Sequence, residues 1–423
     1  MQHNRDKSKR GIAVLREEPV VKRGKETSLL KSIIKGVGIG LVVVAIFGLG
    51  VGVGNGSIHV NKQIPEANQK LPADLNYSSV EELYDELRAK YDGKLDETKL
   101  LDGIKAGLAE ASGDHYTVYL NAKDAEAFNN QLDGTFSGIG AELGKDAQGN
   151  MVIVAPIADT PASRADLRPQ DIIISIDGKD VAGMSVEQAV TKIRGKEGTK
   201  VSLRILRNKS EDHTITITRA TIKVPSVKHE ILDGNVGYMQ ITRFGDDTAE
   251  LTAKAAQEFK DKGVKGVVLD LRGDPGGRLD AAVAVSSLWL NKGDVVLTER
   301  QNGVITDTEY ASGDSPLHGM PTAVLIDEGS ASASEITAGA LKDNKAATLF
   351  GVKSFGKGSV QKIVELNGGG ELKVTIARWH RPNGQNIDKK GINPDTEVKL
   401  TDEDRKNNAD PQKDAAIQFI TKQ

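Results

Sequence analysis

Ala323-Val324-Leu325-Ile326-Asp327-Glu328-Gly329-Ser330-Ala331-Ser332-Ala333-Ser334-Glu335-Ile336 reads as an apolar strand, a turn of small residues and the opening of a helix that runs to Lys342. Four consecutive apolar residues suit a strand buried on both faces. The same order occurs upstream. Gly266-Val267-Val268-Leu269-Asp270-Leu271 enters Arg272-Gly273-Asp274-Pro275-Gly276-Gly277, then a helical run to Leu290. Alternating strands and helices predict an α/β layer on a largely parallel sheet. In such sheets reactive groups gather at the carboxyl ends of strands, where unpaired helix N–H groups favour negative charge. The Gly276-Gly277 loop and the amides beside Ser332 are therefore candidates for an oxyanion hole.

A serine nucleophile needs a base, and no His/Asp pair is signalled near Ser332. Downstream lies Ser354-Phe355-Gly356-Lys357-Gly358-Ser359-Val360-Gln361. A lysine acts as base only when burial pulls its pKa toward neutrality. A dry pocket roofed by Phe355 would do this, and Gln361 could orient the amine without adding a charge. Taken alone, the serine run is more simply a helix cap, with Ser334 in the capping position. A glycine-flanked lysine, taken alone, is more simply solvated.

Outward from this segment the chain changes character. Residues 135–220 carry short β-rich runs at 151–154, 171–176 and 201–206, an Asp177-Gly178 turn and an amphipathic helix over 186–193. Residues 79–132 read as helical, from Val80, Leu83, Tyr84, Leu87 and Tyr91 and then Leu100, Leu101, Ile104 and Leu108. A structural role and a dimerisation role are equally open for them. Residues 36–54 are 19 residues without a charge. As a helix they would span roughly 28 Å, about the hydrocarbon thickness of a bilayer. Ten Lys/Arg against four Asp/Glu precede them, and the next Lys or Arg is Lys62. The positive-inside rule then places the N-terminus in the cytoplasm and the body outside, on a single-pass anchor in the cell membrane. A cleaved signal peptide is the rival reading, but no clean Ala-x-Ala site is present after the run.

Composition removes several classes. The chain of 423 residues has no cysteine, so thiol nucleophiles, disulfides and Cys-ligated zinc are excluded. Its seven histidines are scattered without an HExxH spacing, so no metal site is expected. A formal net charge of -3 and no basic stripe argue against a nucleic-acid partner.

Two resemblances sharpen the reading. Gly138-Ile139-Gly140-Ala141, Pro161-Ala162, the 167–173 run Leu-Arg-Pro-Gln-Asp-Ile-Ile and Ile176-Asp177-Gly178 resemble a PDZ domain. The resemblance implies that Gly138, Ile139, Gly140 and Ala141 form the loop that receives a peptide's C-terminal carboxylate while the peptide adds as a strand. Asp166 departs from it, standing where glycine is usual. Ser330-Ala331-Ser332-Ala333-Ser334-Glu335-Ile336, Phe355-Gly356-Lys357-Gly358 and Gln361 are similar to the carboxyl-terminal processing peptidases, or tail-specific proteases. So are Asp270-Leu271-Arg272, Pro275-Gly276-Gly277, Arg381-Pro382-Asn383-Gly384 and Gly391-Ile392-Asn393-Pro394-Asp395. The likeness runs from about residue 77 to the C-terminus.

That resemblance implies a serine endopeptidase with a crotonase-like α/β core, cutting proteins with exposed apolar tails near their C-termini. Ser332 would be the nucleophile, Lys357 the base and Gln361 its support. The Ala333 amide and one of Gly276 or Gly277 would hold the oxyanion. No cofactor is implied, and occupancy of the PDZ module would gate the core. Asp274 stands where asparagine is usual and is expected to point away from the oxyanion loop. His115 replaces a usual proline. The expected organisation is a basic tail (1–35), anchor (36–54), linker (55–76), helical segment (77–134), PDZ domain (135–220), protease core (221–400) and C-terminal helix (401–423). A homo-oligomer could form through residues 77–132 or the 411–421 helix.

Three rivals are weaker. Gly351 to Lys357 fits GxxxxGK, but Gly358 stands where a magnesium-binding Ser or Thr is needed. The Ser-x-x-Lys of penicillin-binding proteins occurs only at Ser28–Lys31, without KTG or SDN. A PDZ scaffold on an inactive core would not need Ser332, Lys357 and Gln361 together.

Overall fold

The computed structural model describes residues 68, 71–72, 74–208 and 210–422. The chain forms two compact units, residues 1–94 and 95–423. In the first, the helix Ser78–Lys90 buries none of its residues. The expected anchor at 36–54 lies outside the described residues. Among those described, no helix is long and apolar enough to cross a membrane.

The second unit is built on a six-stranded sheet in the order Val227–Leu232, Val236–Ile241, Val267–Asp270, Thr322–Ile326, Thr348–Gly351, Thr396–Glu397. The first pair is antiparallel and the rest are parallel. Val267–Asp270 and Thr322–Ile326 are buried at every position, because helices cover both faces. Thr248–Asp261, Leu279–Ser287 and Ala333–Asp343 enclose one core with Phe244, Phe259, Trp289 and Leu297. The C-terminal helix Pro411–Thr421 closes the other face, setting Ala416 and Ile420 against Val268, Leu325 and Phe350. Each fully buried Ile, Leu or Phe contributes about 1.5–3 kcal/mol, so two-sided burial is the main force holding the sheet.

A second, antiparallel sheet is organised around Glu371–His380. That strand pairs with Ser359–Glu365 along its length, and with Val118–Leu120 and Val295–Gln301 at its two ends. Val118–Leu120 corrects the helical reading of 79–132. The helices Glu97–Glu110 and Ala122–Asp133 flank it, capped by Asp96 and Asn121. Val-Tyr-Leu is β-prone, and the end of a long strand needs a backbone partner there.

Residues 135–223 form a separate core with Ile139, Ile153, Ile173, Leu203 and Ile205. Its sheet runs Ala141–Lys145, Met151–Pro156, Ile172–Ile176, Lys200–Arg207, Glu211–Thr218, so Ala141–Lys145 is an edge. The chain enters and leaves through the antiparallel pair Thr135–Gly138 and Ala220–Lys223. Asp166 adopts φ 57°, the left-handed conformation that glycine would take freely and Asp tolerates. Its carboxylate pairs with Arg168 and Arg207.

Arg272 fastens the C-terminal helix to the sheet. It meets the buried Asp270 at 2.6 Å and Asp410, the residue that caps that helix, at 2.8 Å. Arg272→Ala should strip the buried Asp270 of its counter-charge and lower unfolding free energy by about 3–5 kcal/mol. Urea denaturation checks this, and an unchanged midpoint would mean that the helix stays docked without Arg272.

Candidate active site

Ser332 sits at the carboxyl end of the Thr322–Ile326 strand and caps the Ala333–Asp343 helix with φ 55° and ψ −113°. A non-glycine residue there costs about 1–3 kcal/mol and persists only where its surroundings fix it. The fixing group is Glu335, which is 0% exposed. Its Oε2 accepts the N–H groups of Ser332 and Lys357, each at 2.9 Å. Its Oε1 accepts Ser354 Oγ at 2.6 Å and the Gly356 N–H at 2.7 Å. One buried carboxylate thus joins the serine turn to the lysine loop. The spacing of Ser332 and Glu335 is that of a capping box, which is the signal that could have singled out Glu335. Ser334 is not the cap. It lies inside the helix and donates to the Asp274 carbonyl at 3.0 Å.

The glycine loop forms the opposite wall. A Cβ on Gly276 would lie 2.8 Å from the Ala333 nitrogen and 2.9 Å from Ser332 Cβ. On Gly277 it would lie 2.1 Å from the Phe244 carbonyl oxygen. Only glycines allow this approach. Gly276 N–H is already engaged, donating to Asp274 Oδ1 at 2.8 Å. The amides of Gly277 and Ala333 donate to no group among the described residues. Asp274 does not point away. Its carboxylate turns back under its own loop and is fully buried, with Oδ2 unpartnered. Burial pushes its pKa up to about 7, against the pull of the Gly276 N–H and Arg243.

Ser332, Lys357, Gln361, Gly276, Gly277 and Trp379 line one cavity of about 860 Å³. Lys357 makes no ion pair among the described residues. Burial pulls its pKa down to about 8, helped by the Lys373 ammonium and opposed by Glu335 and Asp114. Phe355 does not roof the pocket, being 58% exposed. The ring of Tyr116 stands beside Lys357, with its centroid 5.3 Å from Nζ. Trp379 Nε1 donates to the Lys357 carbonyl at 2.9 Å. Lys357 Nζ is not hydrogen-bonded to Ser332 Oγ or to Gln361 in this conformation. Gln361 Nε2 instead donates to Ser359 Oγ at 2.7 Å and Thr375 Oγ1 at 3.3 Å.

Gly138, Ile139, Gly140 and Ala141 are not among the residues that line this cavity. Gly140 has φ 78°, and its carbonyl accepts Thr160 Oγ1 at 2.9 Å. The segment leads directly into the edge strand Ala141–Lys145, beside which the Val186–Ile193 helix packs. An open strand edge flanked by a helix is a groove suited to an added peptide strand.

The chain thus joins a parallel-sheet core, with a positive-φ serine at a strand end, to a small β module with an open edge. Residues 235–398 match peptidase family S41, and residues 152–207 match the PDZ domain. The carboxy-terminal processing protease CtpA of Bacillus subtilis (strain 168) is 38% identical over 330 residues, covering 78% of this chain and 70% of that one. CtpB of the same organism is 38% identical over 335 residues, covering 78% and 69%. Among solved structures, an S41-family protein of Bacteroides fragilis NCTC 9343 gives a TM-score of 0.53 at 16% identity. It covers 83% of this chain and 98% of its own, a likeness of fold. The chain belongs to peptidase family S41, as a serine-type carboxy-terminal processing protease.

Glu335→Gln tests the clamp. The amide must turn its NH2 group toward donors, and each donor left unpaired costs about 1–3 kcal/mol. A lowered melting temperature together with lost proteolysis is expected. A variant that melts and cuts like the wild type would show that the two loops hold their places without the carboxylate.

Proposed function

We propose that this protease cleaves extracytoplasmic proteins near their C-termini with Ser332 as nucleophile and Lys357 as general base. The observation that carries the reading is a half-buried lysine, without an ion pair among the described residues, in the same cavity as a positive-φ serine at a helix N-terminus. Neutral Lys357 takes the Ser332 hydroxyl proton as Oγ attacks the peptide carbonyl. The amides of Ala333 and Gly277 receive the oxyanion, since the Gly276 amide is held by Asp274. Lys357 returns its proton to the leaving amine. It then deprotonates the water that cleaves the acyl ester. Hydroxyl and amine must close on one another when substrate enters, a tightening common in unliganded enzymes. Gln361 supports the lysine in the closed state. The PDZ groove, with Gly138 to Ala141 at its head, takes the substrate's apolar tail and carboxylate, and its occupation favours closure.

Residues 36–54 tether this body to the cell membrane with the N-terminus inside. The uncharged 19-residue run and its basic leading flank support the tether. The full-length chain should stay with membranes through alkaline carbonate extraction; release into the supernatant would sink the anchor.

The dyad is tested with the full-length chain, an unstructured protein bearing an apolar C-terminus, and the variants Ser332→Ala and Lys357→Ala. Both variants should fold and be inactive. Only the neutral amine accepts a proton, so wild-type activity should rise as pH climbs through about 8. Equal cleavage by all three chains, or a flat profile from about pH 5 to 9, would overturn the assignment.

A further inference from the structure

The segment before the PDZ module reaches into the active site through a chain of hydrogen bonds whose direction is fixed at one end. Asp114 Oδ2 lies 2.5 Å from Thr375 Oγ1 and 2.8 Å from Thr117 Oγ1. Those hydrogen bonds also hold the Asp114 carboxyl below the usual carboxylate range, against the opposing effect of burial. An ionised carboxylate only accepts, so both threonine hydroxyls must donate to it. Thr117 Oγ1 in turn accepts the Thr375 N–H at 3.2 Å. Thr375 is therefore held by backbone and side chain, and its single hydroxyl proton is spent on Asp114.

The next link comes from that count. Gln361 Nε2 stands 3.3 Å from Thr375 Oγ1. A hydroxyl without a spare proton can only accept, so the Gln361 group facing it must be the amide NH2. The other end of the amide, Oε1, is left for the cavity that Gln361 shares with Lys357 and Ser332. The orientation matters because a lysine presents protons: a carbonyl oxygen aligns the amine, whereas an NH2 group would oppose it.

We propose that Asp114, acting through Thr375, is a positioning residue that sets which end of the Gln361 amide faces Lys357. The proposal rests on the reading of Lys357 as general base. It gives the 114–117 turn, 261 residues from Thr375 in sequence, a part in catalysis that touches no substrate.

The test uses the full-length chain and steady-state cleavage. Thr375→Val removes the hydroxyl while keeping the shape, Thr375→Ser restores it, and Asp114→Asn replaces the obligatory acceptor. Thr375→Val and Asp114→Asn should each lower kcat roughly ten- to a hundredfold, as loss of an outer hydrogen-bond partner does elsewhere. KM should change less than about twofold, since substrate binding is not altered. Thr375→Ser should keep most of the activity. In a Gln361→Ala background, Thr375→Val should cause no further loss, because both act through the same amide. Three results would overturn the proposal: wild-type kcat in Thr375→Val, a KM effect alone, or additive losses in the double variant. If Thr375→Val melts early, Asp114→Asn alone and in the Gln361→Ala background decides on the same criteria. Lys357→Ala run alongside keeps the two readings apart. If it is inactive while Thr375→Val is unimpaired, only the Asp114 inference fails. If Lys357→Ala still cuts, the base assignment itself fails.

Discussion

Glu335 accepts hydrogen bonds from two segments that the chain makes separately, and the geometry of the site depends on it. The serine turn carries an unfavourable backbone angle at Ser332, and the lysine loop lacks regular secondary structure. The serine turn is held locally only by its capping-box contact with Glu335, and the lysine loop by contacts with distant segments. With four donors converging on one buried carboxylate, displacing either loop exposes a charge in a dry environment. Backbone approach between the two loops is thereby restricted, so the contact missing between Ser332 and Lys357 is left mainly to side-chain rotation and to the cavity's other walls.

Those walls come from distant parts of the chain. The parallel sheet supplies the serine and the glycine loop at neighbouring strand ends. The antiparallel sheet supplies Lys357, Gln361, Lys373 and Trp379 along adjoining strands and their leading loop. The segment before the PDZ module adds Phe128 to the lining, and the rings of Tyr116 and Phe128 stand 5.3 Å from Lys357 Nζ and Lys373 Nζ. Lys373 lacks an ion pair among the described residues and lowers the proton affinity of its neighbour by like charge. The environment that makes Lys357 unusual is thus assembled from three regions of sequence.

The legible part of this architecture is whatever local pattern determines. The buried strands are readable from unbroken apolar runs, and the helix after Ser332 from the small residues that open it. Motif spacing also marks Ser332, Lys357 and Gln361 as candidates, and they share a cavity. Contacts set by tertiary packing are not legible. Phe355 suggests a roof because it is close in sequence, yet it is largely exposed, and the ring beside Lys357 is that of Tyr116. Asp274 is expected to avoid its own loop, but a carboxylate two residues from an unpaired N–H closes a short turn readily. The resemblance marks the segment around Asp114 and His115, but nothing local indicates that this turn will dock on a strand near residue 375, and Thr375 carries no signal.

Trp379 has a practical consequence. The chain contains two tryptophans. Trp289 is sealed in the core with Nε1 on Thr322 Oγ1 at 2.8 Å, whereas Trp379 is bonded to the Lys357 backbone at the cavity wall. Replacing Trp289 with phenylalanine would leave one tryptophan, hydrogen-bonded to the backbone of the loop that carries Lys357. Its emission would register filling or closure of the cavity in real time, without a label and independently of turnover.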